Sequence, residues 1–344
     1  MEQTFSRIDP LAESPRWDKL VVEHPRASVF HTSAWIRVLC QTYGYRPLCF
    51  VTEGGRPAIL PLIEVDSFLT GRRGISLPFT DSCSALTSLD GDFRGLWKQA
   101  LRVGQERRWR TFEMRDYEEG CGLSPSLQFY THSLTLAENA SVTFDLFDSS
   151  VRRAIRKAER SGVDVTVERS ESAMKVYYEM HCLTRKKHGL PPQSYRFFQN
   201  IHRWIIEPGL GFLVLARVMD KPIAGAVFFR FCRKAIYKFG ASDPQAEPLR
   251  PNNLVMWRAI TELCANGCKT LDFGRTSLQN AGLRRYKASW GAIERVSRYL
   301  KWDFAKGANV QDRDKADGLH TSFFRLLPGN LSRIVGRLLY PHIA

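Results

Sequence analysis

The sequence predicts a mixed α/β chain of two similar domains, and three observations carry that prediction. Its 344 residues are about twice the ~150 typical of one domain. Hydrophobic residues at 44% and charged residues at 25% suit a soluble globular protein with a large core and exclude a disordered or fibrous one. Each half then reads as helix, hairpin, helix and short buried strand with similar spacing: 54 residues separate Pro57 from Thr111, and 48 separate Pro222 from Thr270.

In the first half, Trp35, Val38, Leu39 and Tyr43 fall at helical spacing within 31–43. Residues 47–52 read as a strand, the turn Gly54-Gly55-Arg56-Pro57 reverses the chain, and 58–65 returns. A helix is expected over 92–107 and a strand over 109–114. Near the domain boundary, 141–147 reads as a strand or linker, and Ser149-Ser150 as the cap of a helix over 151–162. That helix sets Val151, Ile155 and Ala158 on one side and Arg152, Arg153, Arg156, Lys157 and Arg160 around the rest.

The second half continues with a helix over 171–188, ended by Gly189 and the Pro191-Pro192 pair. Strands over 211–218 and 223–232 join at Asp220-Lys221-Pro222, and 235–240 follows as a third. A helix over 249–266 stops at Gly267, and 269–273 closes the set as a buried strand. The domains are accordingly 1–145 and 146–305, with 306–344 a tail. In the tail, 306–317 is polar, and from 318 onward there is no Asp or Glu. Leu331, Ile334, Val335, Leu338 and Leu339 form an i, i+3, i+4, i+7, i+8 stripe flanked by Arg333 and Arg337. Such a helix suits an anionic bilayer surface or packing against the first domain.

Fifty Lys and Arg against 35 Asp and Glu leave a formal charge of +15. The excess favours RNA, phosphorylated substrates or an anionic membrane surface without choosing among them. The eight cysteines include no CxxC pair, and Cys264 and Cys268 lack a matching pair at zinc-ligand spacing. His181 and His188 share a helix with no carboxylate beside them, so no metal site is expected. Reduced, mostly buried thiols of a cytoplasmic protein are the expectation. The first 20 residues contain no apolar signal-peptide core, and no window approaches 18 uninterrupted apolar residues.

One motif is more specific. Asp272-Phe-Gly-Arg-Thr-Ser is followed by Gly282-Leu-Arg-Arg-Tyr-Lys-Ala-Ser-Trp-Gly291. This resembles the closing motif of the FemABX aminoacyl-tRNA-dependent transferases and their BioF2-like acetyltransferase relatives. Val151-Arg-Arg-Ala-Ile-Arg-Lys-Ala-Glu-Arg-Ser-Gly162 is similar to the basic helix opening the family's second half, and Leu249-Arg-Pro-Asn-Asn-Leu254 to the start of a later helix. The resemblance spans about 30–303, and the tail resembles that of FemAB-like proteins linked to exopolysaccharide systems. It implies two tandem GNAT-like (acyl-CoA N-acyltransferase) domains, with a substrate cleft between or beside them. The implied activity moves an amino acid from aminoacyl-tRNA to an amine of a peptidoglycan-type or other cell-envelope precursor.

Such a transfer needs an activated ester, a neutral amine and stabilisation of a tetrahedral oxyanion, but no protein nucleophile. The sequence shows no G-x-S-x-G elbow and no Cys-His arrangement. By resemblance, Lys287 is the catalytic candidate, contacting the reacting carbonyl or the donor's terminal nucleotide, with Tyr286 where the family carries Phe. Read from the residues alone, Arg284, Arg285 and Lys287 also fit a solvated helix face. Arg275 follows a strand end, and Gly274 there lets backbone approach a ligand. Arg152, Arg153, Arg156 and Lys157 are candidate nucleic-acid contacts, or solvated charges. Arg115, which follows the strand at 109–114, is a further substrate-binding candidate, and Arg37, Asn253 and one of Gln193 and Arg196 complete the set by analogy. No resident cofactor is expected, and the donor is aminoacyl-tRNA.

Two alternatives stand beside this. One is an N-acyltransferase using acyl-CoA or an acyl carrier in exopolysaccharide or envelope synthesis. The nearest approaches to a CoA pyrophosphate loop, Gln279-Asn-Ala-Gly-Leu-Arg284 and Arg333-Ile-Val-Gly-Arg-Leu338, fail at the last position. The other is a non-enzymatic RNA-binding or membrane-surface scaffold. A cytoplasmic monomer or homodimer, with peripheral contact at the inner membrane face through the tail, completes the expectations.

Overall fold

The computed structural model describes residues 5–53, 57–87, 90–117, 122–312, 314 and 324–343, apart from the side chains of 90–92. Gly54, Gly55 and Arg56 of the first turn, Cys121 and residues 315–317 of the polar tail segment lie outside the described residues. Two compact units form: Met1–Phe129, Val296–Lys315 and Leu338–Ala344 make unit 1, and Tyr130–Arg295 and Ala316–Arg337 make unit 2. The division is therefore not the contiguous one at 145 and 305, because the chain returns to unit 1 for its last long strand.

Unit 1 begins with β1 (Phe5–Ile8), α1 (Ser14–Val22) and α2 (Ser33–Tyr43). The Thr32 hydroxyl accepts the N–H of Trp35 to cap α2, and Trp17, Trp35, Val38 and Leu39 are buried. The strand read at 47–52 divides into β2 (Arg46–Pro47) and β3 (Cys49–Thr52), and its return into β4 (Ile59–Leu60) and β5 (Ile63–Val65). β6 (Arg73–Ile75), α3 (Asp90–Glu106) and β7 (Thr111–Arg115) follow. β1, β3 and β4 form a small antiparallel sheet, and β2, β5, β6 and β7 lie side by side in another. Glu64 is buried in this unit. Arg107 donates to it at 2.5 and 2.6 Å and Trp109 Nε1 at 2.7 Å.

Unit 2 takes in most of β8 (Leu127–Thr135), then α4 (Ala140–Asp145), α5 (Ser149–Arg160), β9 (Asp164–Glu168), α6 (Glu171–Lys187) and α7 (Tyr195–Ile201). β10 (Gly211–Val218), β11 (Lys221–Phe231), β12 (Lys234–Ser242), α8 (Pro251–Ala265), β13 (Thr270–Ser277) and α9 (Ala281–Ala288) follow. The strand order is β8-β13-β12-β11-β10-β9. The β9–β12 neighbours pair antiparallel, and β12 pairs β13 in parallel across the α8 crossover. α5 and α8 cover the face bearing Phe212, Val214, Ala224, Ala226 and Phe228, while α6 packs on β10, β11 and β12. Burial on both faces explains why β10 and β11 read as continuous apolar runs rather than alternating ones.

Three local expectations change. Residues 140–145 are helical rather than a strand or linker, started by the Asn139 side chain accepting the Ser141 N–H. The residue before α5 is Asp148, and Ser149 and Ser150 lie inside that helix. The β10–β11 turn is Met219-Asp220, at φ 47° and 63°, so Lys221 and Pro222 already belong to β11. After α9, β14 (Ile293–Asp303) pairs β7 in unit 1 and carries β15 (Ala308–Asn309), and α10 (Gly329–Leu339) closes the chain.

Candidate functional site

Strands β12 and β13 pair over only three positions, Lys234 with Thr270, Ala235 with Leu271 and Ile236 with Asp272. Both run on, to Ser242 and Ser277, so the sheet opens there into a wedge. At the same level β12 bulges against β11. Val227 faces Phe239 and Phe228 faces Tyr237, which leaves Lys238 as the extra residue. A bulge drops one residue from the ladder and re-aims its backbone groups, a common device beside functional sites.

The Asp-Phe-Gly sequence shapes the other lip. Asp272 Oδ1 accepts the Gly274 N–H at 2.6 Å, and Gly274 turns at φ 72°, a conformation that disfavours a Cβ. The carbonyls of Gly274 and Arg275 then receive hydrogen bonds from Lys287 Nζ, at 2.7 and 3.1 Å. Lys287 is only 3% exposed. Nearby, buried His132 sits with Nε2 3.1 Å from Glu294 Oε2, and Glu294 also accepts Arg284 at 2.5 and 2.7 Å. Burial, then the positive charge of Lys287, hold the His132 imidazole below its ordinary pKa, against the pull of Glu294.

A cleft of ≈ 750 Å³ in unit 2 is lined from α5, α6, β12, α8 and α9. Arg153, Lys157, Lys187 and Arg250 bring four cationic side chains to it and Glu247 a single carboxylate, with Tyr237, Asn253 and Tyr286 among the other walls. The starts of α5 and α8 both reach it, and neither helix has a side-chain cap on its first N–H groups. Uncapped helix starts and clustered cations together favour an anionic group.

The predicted residues separate accordingly. Arg153, Lys157, Asn253 and Tyr286 line this one cleft. Lys287 is not part of that lining, and its Nζ is bonded to the strand end. Of the other cations on α5, Arg152 donates to the Asp145 carbonyl and Arg156 stacks over Phe144. Arg284 is exposed, paired with Glu294 and set 4.2 Å over the Tyr130 ring, and Arg275, Arg285 and Arg196 are exposed. Gln193 is buried, with Oε1 3.0 Å from His181 Nε2. In unit 1, Arg37 donates to the Leu11 carbonyl, and Arg115 is buried between Glu113, Thr80 and the Tyr299 ring. Sequence reasoning missed Lys187, Arg250 and Tyr237. Arg250 stood inside the recognised 249–254 stretch and Lys187 in a basic run, but nothing in the local pattern singled out Tyr237.

Residues 147–288 match the model of the acetyltransferase (GNAT) domain. Unit 2 carries an acyltransferase domain of the GNAT type. The structure of FemX superposes at a TM-score of 0.69 and 15% identity, covering 88% of this chain and 98% of that one. The C-terminal domain of a putative lysylphosphatidylglycerol synthetase from Agrobacterium fabrum gives 0.57 at 12%, covering 87% and 94%. A tandem GNAT protein from the clavulanic acid biosynthesis pathway gives 0.56 at 10%, covering 91% and 100%. At these identities the likeness is one of fold, that of tandem GNAT-like domains. A search among curated proteins returns no match. Within the GNAT domain the wedge, the bulge and the cleft occupy one neighbourhood, since Tyr237 and Gly240, on either side of the bulge, both line the cleft.

Proposed function

We propose that the chain is an aminoacyltransferase that passes an activated amino acid from aminoacyl-tRNA to an amine of a cell-envelope precursor. The observation that carries this reading is the charge of the GNAT-domain cleft: four cations and two uncapped helix starts against one carboxylate. Such a cleft takes the phosphate-bearing end of a donor. The similarity to FemX and to a putative lysylphosphatidylglycerol synthetase, a name that itself denotes an aminoacylated product, favours an aminoacyl donor.

In this reading Arg153, Lys157, Lys187 and Arg250 hold phosphate oxygens, and Tyr286 and Tyr237 flank the donor's ester end. The neutral amine attacks the ester carbonyl, the C–N bond forms, and the ribose oxygen leaves with the ester electrons. The amine's surplus proton ends on the leaving oxygen. The developing oxyanion lies beside the β11–β12 bulge, between the cleft-lining Tyr237 and Gly240. Lys287 acts by fixing the Gly274–Arg275 strand end. The test offers full-length protein radiolabelled aminoacyl-tRNA or acetyl-CoA, separately, with a pool of amine acceptors. Amide-stable label from aminoacyl-tRNA is expected, and label from acetyl-CoA alone would replace this donor with CoA.

A further inference from the structure

Three members of the apolar stripe of α10, Leu331, Ile334 and Leu338, face away from the side on which the helix is docked. Ser332 and Gly336 are the buried residues of α10. A Cβ on Gly336 would stand 1.9 Å from the Pro192 carbonyl oxygen, so the helix backbone lies directly on the Pro191-Pro192 segment. Arg333, on the same side, pairs with Glu179 and lies over the Tyr178 ring at 5.5 Å. At ~100° per residue, Ile334 stands ~200° round from Ser332, and Leu338 the same from Gly336. Both point outward. Leu331, Ile334 and Leu338 are 50, 53 and 60% exposed, and Leu326 just before the helix is 84% exposed. Ser332 and Gly336 thus centre the docking face with half-buried Val335 and Leu339 beside them, while Leu331, Ile334 and Leu338, which would ordinarily help seal a helix to its core, are presented to solvent.

The charge that the segment itself carries is of one sign, and the carboxylate beside it, Glu179, is paired with Arg333. Exposed Arg325 and Arg337 flank the stripe, and from 318 to the end the sequence contains no acidic residue. Among the described residues no helix is long and apolar enough to cross a membrane. Apolar side chains rimmed by arginines, on a helix held parallel to the surface beneath it, match the chemistry of a bilayer interface: acyl chains under anionic headgroups.

We propose that α10 is a docking surface for an anionic phospholipid bilayer, with Leu331, Ile334 and Leu338 entering the interface and Arg325 and Arg337 meeting headgroup phosphates. This does not rest on the donor assigned above. The test is flotation of full-length protein with vesicles of phosphatidylglycerol and phosphatidylcholine, or of phosphatidylcholine alone. Wild type should float with the mixed vesicles and lose at least tenfold in partitioning on phosphatidylcholine alone or at high salt. The variant L331S/I334S/L338S keeps Ser332, Gly336 and Arg333 in place. It should retain the wild-type unfolding midpoint while losing at least tenfold in binding, and R325E/R337E should do likewise. Failure of wild type to float with mixed vesicles, or equal flotation of the serine variant, overturns the proposal. So does sedimentation of vesicle-free wild type as a dimer that the serine variant breaks, because the face then belongs to a second copy of the chain.

Discussion

Lys287 donates to the carbonyl of Gly274, 13 residues earlier, at 2.7 Å, and thereby ties α9 to the strand end where β13 leaves β12. The Asp-Phe-Gly and Lys parts of the recognised motif are thus one structural device. Asp272 and Gly274 shape the strand end, and Lys287 donates to the carbonyls of Gly274 and Arg275. Replacing Lys287 with Met leaves these carbonyls without their donor, at a cost of about 2–4 kcal/mol. Arg should rescue little, because a planar guanidinium does not fit a site shaped for a compact ammonium. Urea unfolding of both variants, followed by tryptophan fluorescence, measures this. Unchanged midpoints would return Lys287 to a purely chemical role.

The cleft predicts a graded response along α5. Arg153 and Lys157 line it, whereas Arg152 is engaged with the Asp145 carbonyl and Arg156 with Phe144. R153A and K157A should each weaken tRNA binding and reduce the slope of log K against log salt by about 0.7–0.9. R152A should change that slope much less. Filter binding between low and moderate salt distinguishes this from a uniformly solvated helix, in which all three would behave alike.

What the sequence made legible follows from which forces are local. Helices α2, α6 and α8 announced themselves because one face of each is buried and an end of each carries a capping residue or glycine, and α3 through its buried Leu96, Trp97 and Ala100. β10 and β11 were legible as unbroken apolar runs between turn residues. β8, β9 and the long β14 were not, because partners distant in the chain decide their pairing. The contiguous boundary failed for the same reason: β14 pairs β7, whose residues precede it by nearly the length of unit 2. At the site, a motif pointed to Lys287 and Tyr286, and charge to Arg153 and Lys157. The bulge at Lys238 is a register event between β11 and β12 and leaves no mark in composition. Arg115 looked like a ligand because it follows a strand, yet Glu113 and the Thr80 carbonyl occupy its guanidinium.

The pair that buried Glu64 makes with half-buried Arg107 in unit 1 predicts acid sensitivity. Burial alone would raise the Glu64 pKa, but hydrogen bonds from Arg107 and Trp109 outweigh it and hold the carboxyl below its usual range. A depressed folded pKa means stability that is present above the unfolded value, near 4.5, and lost as pH falls through the folded one. E64Q should cost about 1–2 kcal/mol at neutral pH, since it replaces a charge-assisted bidentate contact by a neutral one while half-exposed Arg107 keeps access to water. The variant's stability should also vary less with pH below about 4.5. Chemical denaturation across that window reads both effects, and parallel pH curves for variant and wild type would refute the linkage.

His181 gives a second pH dependence at milder acidity. It is buried, and burial followed by the charge of Arg185 pushes its pKa down to about 3, with the Gln193 contact opposing weakly. The unfolded chain titrates near 6.5, so it binds the proton more tightly than the folded one. Stability is therefore full above pH 6.5 and declines as pH falls from there toward 3. At pH 5 the loss is about 2 kcal/mol. H181F keeps a ring against Phe198 and Phe239 but strands the Gln193 Oε1, so it should be less stable than wild type at pH 7 by about 1–2 kcal/mol. Between pH 7 and 5 its stability should fall less steeply than that of wild type, bringing the two closer together. Urea midpoints at both pH values decide the matter, and a constant gap between the proteins would remove His181 as the source of the acid loss.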